Sequence, residues 1–283
     1  MTDNIDGSAN ADSHVSLVKK CLVGSIFVAI RTGGMGKTTT VQIIEYALSR
    51  KNVSFDLVSL DVAEKGASSK LKKVLDQTED MVFGASMEAI SQDPNAALQN
   101  FDDLGQRLAR GGAIFDFGAN IAPVVFGWAK VGEIHEYLAH MPKITLVVPV
   151  TAQSQAIDDA IAIIKEARGT ISDLPIAKII VVYNERDGKF GNDIARYADL
   201  VAETIAKDDG IEMKSVVLPK LLSEIWNKIQ AKNMPFADAI RLSAAELERD
   251  LGLPLMQAGR GKKFFRDWLN AAELQFLNAG IAS

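Results

Sequence analysis

Cysteine is nearly absent: Cys21 is the only one in 283 residues, so no disulfide framework can form. With three scattered histidines and no cysteine pair, a cysteine-rich metal site is excluded as well. Strong charge of one sign is also missing. The net charge of −5 argues against a protein that coats DNA through global basicity, although a local basic patch remains possible. No apolar run approaches the roughly 18 residues that a spanning helix needs. The opening segment, MTDNIDGSANADSHVS, lacks the basic-then-apolar order of a secretory signal. These absences lead us to expect a cytoplasmic protein with a polar tail over 1–16 and one domain over 17–283.

What is present is an alternation of β-branched runs with segments of helical period. LVGSIFVAI (22–30), VSFDLVSLD (53–61), GAIFDFG (112–118), ITLVVPV (144–150), AKIIVVYN (177–184) and MKSVVLP (213–219) read as strands. They are apolar throughout, which implies burial on both faces beneath helices. Between them, Ile157, Ala160, Ile161 and Ile164 recur at helical spacing, as do Ile194, Tyr197, Ala198, Val201 and Ile205. DPNAALQNFDDLGQRLARGG carries Asp93 and Pro94 as a helix start and a Gly pair as its stop. The expected architecture is a doubly wound, mostly parallel α/β sheet with a helical C-terminal extension from about 219.

After the first strand comes RTGGMGKTTT (31–40). Gly33, Gly34 and Gly36 allow the backbone to wrap closely and aim its N–H groups at phosphate oxygens. The helix that starts near Lys37 adds its N-terminal dipole. Lys37 suits the β- and γ-phosphates, and the Thr38 hydroxyl suits Mg²⁺. Gly33, Gly34, Met35, Gly36, Lys37, Thr38 and Thr39 therefore form the expected nucleotide-binding run. The commonest phosphate loop has Gly where this chain has Arg31.

The run TGGMGKTT instead resembles the deviant Walker A loop of the ParA/MinD ATPase family, Lys-Gly-Gly-x-Gly-Lys-Thr-Thr. It matches at every fixed position but the first, where Thr32 replaces the signature lysine. In that family the lysine reaches across a nucleotide-sandwich dimer to the partner's phosphates. Thr32 is too short and neutral for this, and Arg31 is the candidate to stand in.

The resemblance implies further roles. Asp61, with Val62 where the family has proline, would orient the attacking water; Asp116 would join the Mg²⁺ shell, and Gly118 would sense the γ-phosphate. Asn184 would read adenine, with the backbone near Leu218 and Pro219 as a further base contact. AIFDFGANIAPVVFGWA, PVTAQSQAIDDAI, VVYNERDGKFG and NMPFADAI are most similar to the TraL/StbB branch of conjugative and mobilisable plasmids. That likeness implies a weak ATPase that dimerises around ATP–Mg²⁺ and serves plasmid partition, stability or transfer through a protein partner. Two alternatives stand beside it: a non-hydrolysing nucleotide-binding adaptor and a MinD-like positioning ATPase at a membrane surface.

Near the C-terminus, Arg260, Lys262, Lys263 and Arg266 precede an apolar stripe at Phe264, Trp268, Ala272 and Phe276. A terminal helix docked on the domain is the leading expectation for this segment. A non-specific DNA contact through the four basic residues, or a membrane-surface helix, are the competing ones.

Overall fold

A computed structural model describes residues 20–62, 67–82, 96–131, 134–138, 140–205 and 207–282. The expected tail over 1–16, together with Asp93 and Pro94, lies outside these residues. The strands are β1 (Lys20–Cys21), β2 (Ser25–Val28), β3 (Val53–Ser54), β4 (Asp56–Val62), β5 (Glu79–Val82), β6 (Ala113–Phe117), β7 (Ile144–Thr151), β8 (Ile176–Asn184) and β9 (Glu212–Leu218). Seven of them form one sheet in the order β5-β4-β6-β2-β7-β8-β9, and every pairing is parallel. β1 and β3 pair separately.

The helices are α1 (Lys37–Arg50), α2 (Lys70–Val74), α3 (Ala96–Arg110), α4 (Ile121–Val131), α5 (His135–Leu138), α6 (Ser154–Arg168), α7 (Tyr197–Thr204), α8 (Glu224–Ala231), α9 (Phe236–Arg241), α10 (Ala244–Leu251) and α11 (Leu255–Asn278). They cover both faces of the sheet, as continuous apolar strands require. In β2, Phe27 joins the core that holds Phe101, Val125 and Ile157. Its neighbours Ile26 and Val28 join the opposite core, with Ile44, Leu247, Phe265 and Phe276. β8 splits the same way, Ile179 and Val181 to one side and Ile180 and Val182 to the other. The expected α/β fold is what the chain adopts.

Three local expectations need correction. β5 (EDMV) is an additional edge strand that its acidic residues hide from a hydrophobic reading. The helix expected from about Ile194 begins at Tyr197, because Arg196 has a left-handed φ of 66° and interrupts it. The buried contact there is Leu200, while Ile205 is 62% exposed. In α11 the buried stripe is Ala258, Gly261, Phe265, Leu269, Ala272 and Phe276; it shares only its last two members with the expected one. Phe264 is 52% exposed. Packing against α1 and α10 turns the helix so that Phe265 enters the aromatic cluster with Trp226, Phe236 and Trp268.

The outer strand β9 would leave a row of backbone groups unpaired. Gln275 on α11 occupies part of that edge like a strand residue. Val217 N–H donates to Gln275 Oε1 (2.8 Å), and Gln275 Nε2 donates to the Val217 carbonyl (2.7 Å).

The corrected stripe is testable by urea denaturation. Phe265→Ala removes a fully buried ring and should cost about 3–5 kcal/mol, whereas Phe264→Ala should cost less than about 1 kcal/mol. The reverse order would overturn this placement.

Candidate functional site

The strand order reverses around β2, since the connections to β4 and β6 run to one side of it and those to β7, β8 and β9 to the other. Parallel sheets bind ligands in the crevice at such a switch point, at the carboxyl ends of the strands. The segment from Ala29 to Gly36 lies there. Gly34 and Gly36 take left-handed backbone (φ 78° and 99°), and Gly36 leads directly into α1. A Cβ at Gly33 or Gly34 would meet nothing within 4 Å, so the outer side of the loop is open. At Gly36 a Cβ would lie 2.6 Å from Asn184 Nδ2; only glycine satisfies both the angle and the space there.

The far side of the loop is anchored in the core. Met35 is 5% exposed, its Sδ accepts from the Thr151 hydroxyl (3.4 Å), and its carbonyl accepts from Asn184 Nδ2 (3.4 Å). The Asn184 Oδ1 accepts from the Arg186 N–H (3.3 Å). Each half of this amide has one remaining hydrogen-bonding valence. Asn184 also borders a cavity of about 640 Å³ with Gly36, Thr39, Pro219, Trp226 and Trp268. Trp268 Nε1–H donates to the Pro219 carbonyl (2.8 Å), which fixes this wall.

On the other side of α1 the charged groups converge. Register sets Val28 beside Asp116 and Ser59 beside Asp116, so β2, β4 and β6 end together. The Thr38 hydroxyl donates to Asp116 Oδ2 (3.1 Å). Asp116 is 3% exposed, and its Oδ1 is buried with no hydrogen-bond partner. Burial is the main reason its carboxyl is pushed up to about 7 from an ordinary 3.8; Lys37 and the Thr38 hydrogen bond pull it back, and the Asp61 charge raises it further. Burial likewise holds Lys37 below the usual lysine value, against the raising influence of Asp116 and Asp61. Lys37 Nζ donates to the Thr32 carbonyl (3.2 Å). A poorly solvated ammonium at the mouth of an open glycine loop is a strong attractor for an anion.

Gly118 sits against Asp61: a Cβ there would come within 2.7 Å of Asp61 Oδ1, and Gly118 N–H donates to the Leu60 carbonyl (3.0 Å). Lys37, Thr38, Asp61, Asp116 and Gly118 thus share one end of the sheet. Asn184 and Pro219 gather around the cavity beside Gly36 and Thr39.

Among the described residues, no group of three or more His, Cys, Asp or Glu side chains is placed to hold a metal ion. Mg²⁺ is commonly held by one or two protein oxygens together with phosphate oxygens and water. The unpartnered Asp116 Oδ1 and the adjoining Thr38 hydroxyl are the oxygens that fit such an ion here.

The two residues at the start of the loop are engaged within the chain. The Arg31 guanidinium pairs with Glu166 on α6 (2.9 Å), and the Thr32 hydroxyl donates to Asp159, about two turns earlier on the same helix. Sequence reading missed Asp159 and Glu166, since nothing in the spacing links them to positions 127 and 135 residues away. It also gave no place at the cavity to Trp226 or to Trp268, which it read only as part of the C-terminal stripe.

Of the C-terminal basic residues, Lys262 donates to the Leu242 carbonyl at the end of α9. Arg260 and Lys263 are exposed, and Arg266 lies 3.7 Å from Asp267. No described helix is long and apolar enough to cross a membrane.

These features define a doubly wound α/β protein with an open glycine-rich loop at its switch point. No protein-family model and no curated protein matches the sequence. Solved structures that it resembles include the MinD cell division protein of Aquifex aeolicus, at 13% identity over 87% of this chain and 97% of that one, with a TM-score of 0.40. A McdA–ATP complex from Cyanothece shares 16% identity over 89% and 96% of the two chains, with a TM-score of 0.37. The MinC:MinD complex of Aquifex aeolicus shares 14% over 87% and 96%, with a TM-score of 0.40. These are distant likenesses of fold alone.

The sign of the Asp116 shift yields a prediction. A carboxyl raised from 3.8 to about 7 favours the folded state while protonated. It stabilises fully below about pH 4 and loses that contribution as pH rises to about 7. Without nucleotide or divalent cation, Asp116→Asn should flatten the fall in Tm between pH 4 and 7 relative to wild type. Parallel Tm curves for the two proteins would contradict the burial described here.

Proposed function

We propose that this chain is a nucleotide-binding switch protein of the ParA/MinD type, which binds ATP with Mg²⁺ and hydrolyses it slowly. The observation that carries this reading is the convergence of a desolvated Lys37, the Thr38–Asp116 pair and Asp61 at an open glycine loop on the sheet's switch point. Lys37 and the loop N–H groups would bind the phosphates. Thr38 and Asp116 would hold the Mg²⁺, which when bound neutralises charge on the phosphate oxygens. Asp61, exposed beside Gly118, would orient water toward the terminal phosphate. Gly33, Gly34, Met35, Gly36 and Thr39 would line the phosphates, Gly118 would respond to them, and Asn184 with Pro219 would meet the base in the cavity.

The finer reading is a partner-dependent role in plasmid partition, stability or transfer through an ATP-bound homodimer. It is supported by the TraL/StbB-like segments of the sequence. In such a dimer Arg31 would have to leave Glu166 to reach a partner's phosphates. The exposed Arg260 and Lys263 remain candidates for a DNA contact, with Lys262 and Arg266 less free to join them. A non-hydrolysing adaptor built on the same site is distinguished by catalysis alone.

Titration calorimetry with ATP and Mg²⁺ should show binding by wild type and loss of it in Lys37→Ala. Single-turnover assays should show hydrolysis well below the ~10 s⁻¹ typical of enzymes, reduced a further ~100-fold in Asp61→Ala with binding retained. Equal binding by wild type and Lys37→Ala would sink the nucleotide reading. Tight binding without any cleavage would select the adaptor.

A further inference from the structure

The glycine loop needs a fixed starting point. Gly33 and Gly34 have open space where a side chain would stand, and glycine backbone has more freedom to lose than any other. Neither residue restrains the peptide that joins Thr32 to Gly33. Yet the carbonyl of that peptide accepts from Lys37 Nζ (3.2 Å), so its direction decides where the ammonium rests. The restraint has to come from the residues before the glycines.

Three contacts meet there. The Asn120 N–H donates to the Arg31 carbonyl (3.2 Å), from a residue held at a left-handed φ of 61°. The Arg31 guanidinium pairs with Glu166, and the Thr32 hydroxyl donates to Asp159. Asp159 and Glu166 are two turns apart, so both stand on one face of α6. That helix is a firm platform, since Ile157, Ala160, Ile163 and Ile164 are buried in the core with Phe27. Asp159 is itself oriented from one turn earlier: Gln155 Nε2 donates to its Oδ1 (3.1 Å), and Oδ2 takes the Thr32 hydroxyl. A continuous path of hydrogen bonds therefore runs from α6 through Asp159 and Thr32 to the Lys37 ammonium.

We infer that Asp159 is a positioning residue for Lys37. It fixes Thr32 from α6, and the Thr32 carbonyl in turn holds the ammonium at the glycine loop before any ligand arrives. The inference rests on the nucleotide-binding reading above. It gives Thr32 a task that needs no positive charge: its hydroxyl is the anchor, and its carbonyl is the rest for Lys37. A pre-placed ammonium spares a phosphate the cost of ordering it, so the gain appears as affinity.

The test is titration calorimetry of the full chain with ADP and with ATPγS, each with Mg²⁺. The variants are Thr32→Val, Asp159→Ala, their double variant, Thr32→Ser and Asp159→Asn. Thr32→Val and Asp159→Ala should each weaken both nucleotides about fivefold to tenfold, the scale of one oriented hydrogen bond. The double variant should be no weaker than either single one, because both remove the same contact. Thr32→Ser keeps the hydroxyl and Asp159→Asn keeps an acceptor for it, so both should bind nearly as wild type does. A contact that only stabilises the fold would lower Tm and leave both affinities unchanged. Unchanged affinity in the two disruptive variants, or losses that add in the double variant, would overturn the assignment of Asp159 while nucleotide binding stands. Should Asp159→Ala fail to fold, Thr32→Val against Thr32→Ser makes the same comparison. Failure of wild type to bind either nucleotide would remove the nucleotide reading and this inference with it.

Discussion

The hydrogen bond from Thr38 to the buried Asp116 holds the site together. It ties the first turn of α1 to the end of β6, across the point where the chain's connections change side. Asp116 has one satisfied oxygen and one bare one in an apolar surrounding, and Lys37 loses solvent beside it. Neither group is comfortable alone, and their mutual attraction recovers only part of what burial costs. A ligand carrying a cation and anionic oxygens would satisfy both. The glycines and the open outer side of the loop can both be understood as arrangements around that unsatisfied pair.

Much of this was readable beforehand. Strands buried on both faces have few acceptable compositions, so ITLVVPV and AKIIVVYN announce themselves, and a strand leading into Gly-Gly-Met-Gly-Lys-Thr has few alternative uses. What was not readable depends on choices between near-equivalent patterns. Phe264/Trp268 and Phe265/Leu269 are both plausible helix stripes that converge on Ala272 and Phe276, and only the shape of the opposing surface decides between them. Ile194 to Ile205 kept helical period through a residue whose backbone turned left-handed. In β5, packing and register overruled a composition with two acids in four residues.

Long-range polar pairing was the least legible layer. The Arg31–Glu166 and Thr32–Asp159 contacts join a loop to a helix more than a hundred residues on, and their partners look like ordinary solvated acids. They change the meaning of the loop's unusual first residues. Sequence alone presents Thr32 as a missing lysine. The structure presents positions 31 and 32 as a fastening that sets where the loop begins relative to α6, so their departure from the familiar pattern has a constructive role in this chain.

Gln275 has a consequence of another kind. A sheet that ends in β9 offers its outermost backbone to any extended strand that drifts past, and such an edge can seed fibrils. By donating and accepting at Val217 with one side chain, α11 plugs the C-terminal end of that edge, and the charged Glu212 and Lys214 stand at its start. The long terminal helix therefore acts as a guard on the colloidal behaviour of the protein as well as a lid on its core.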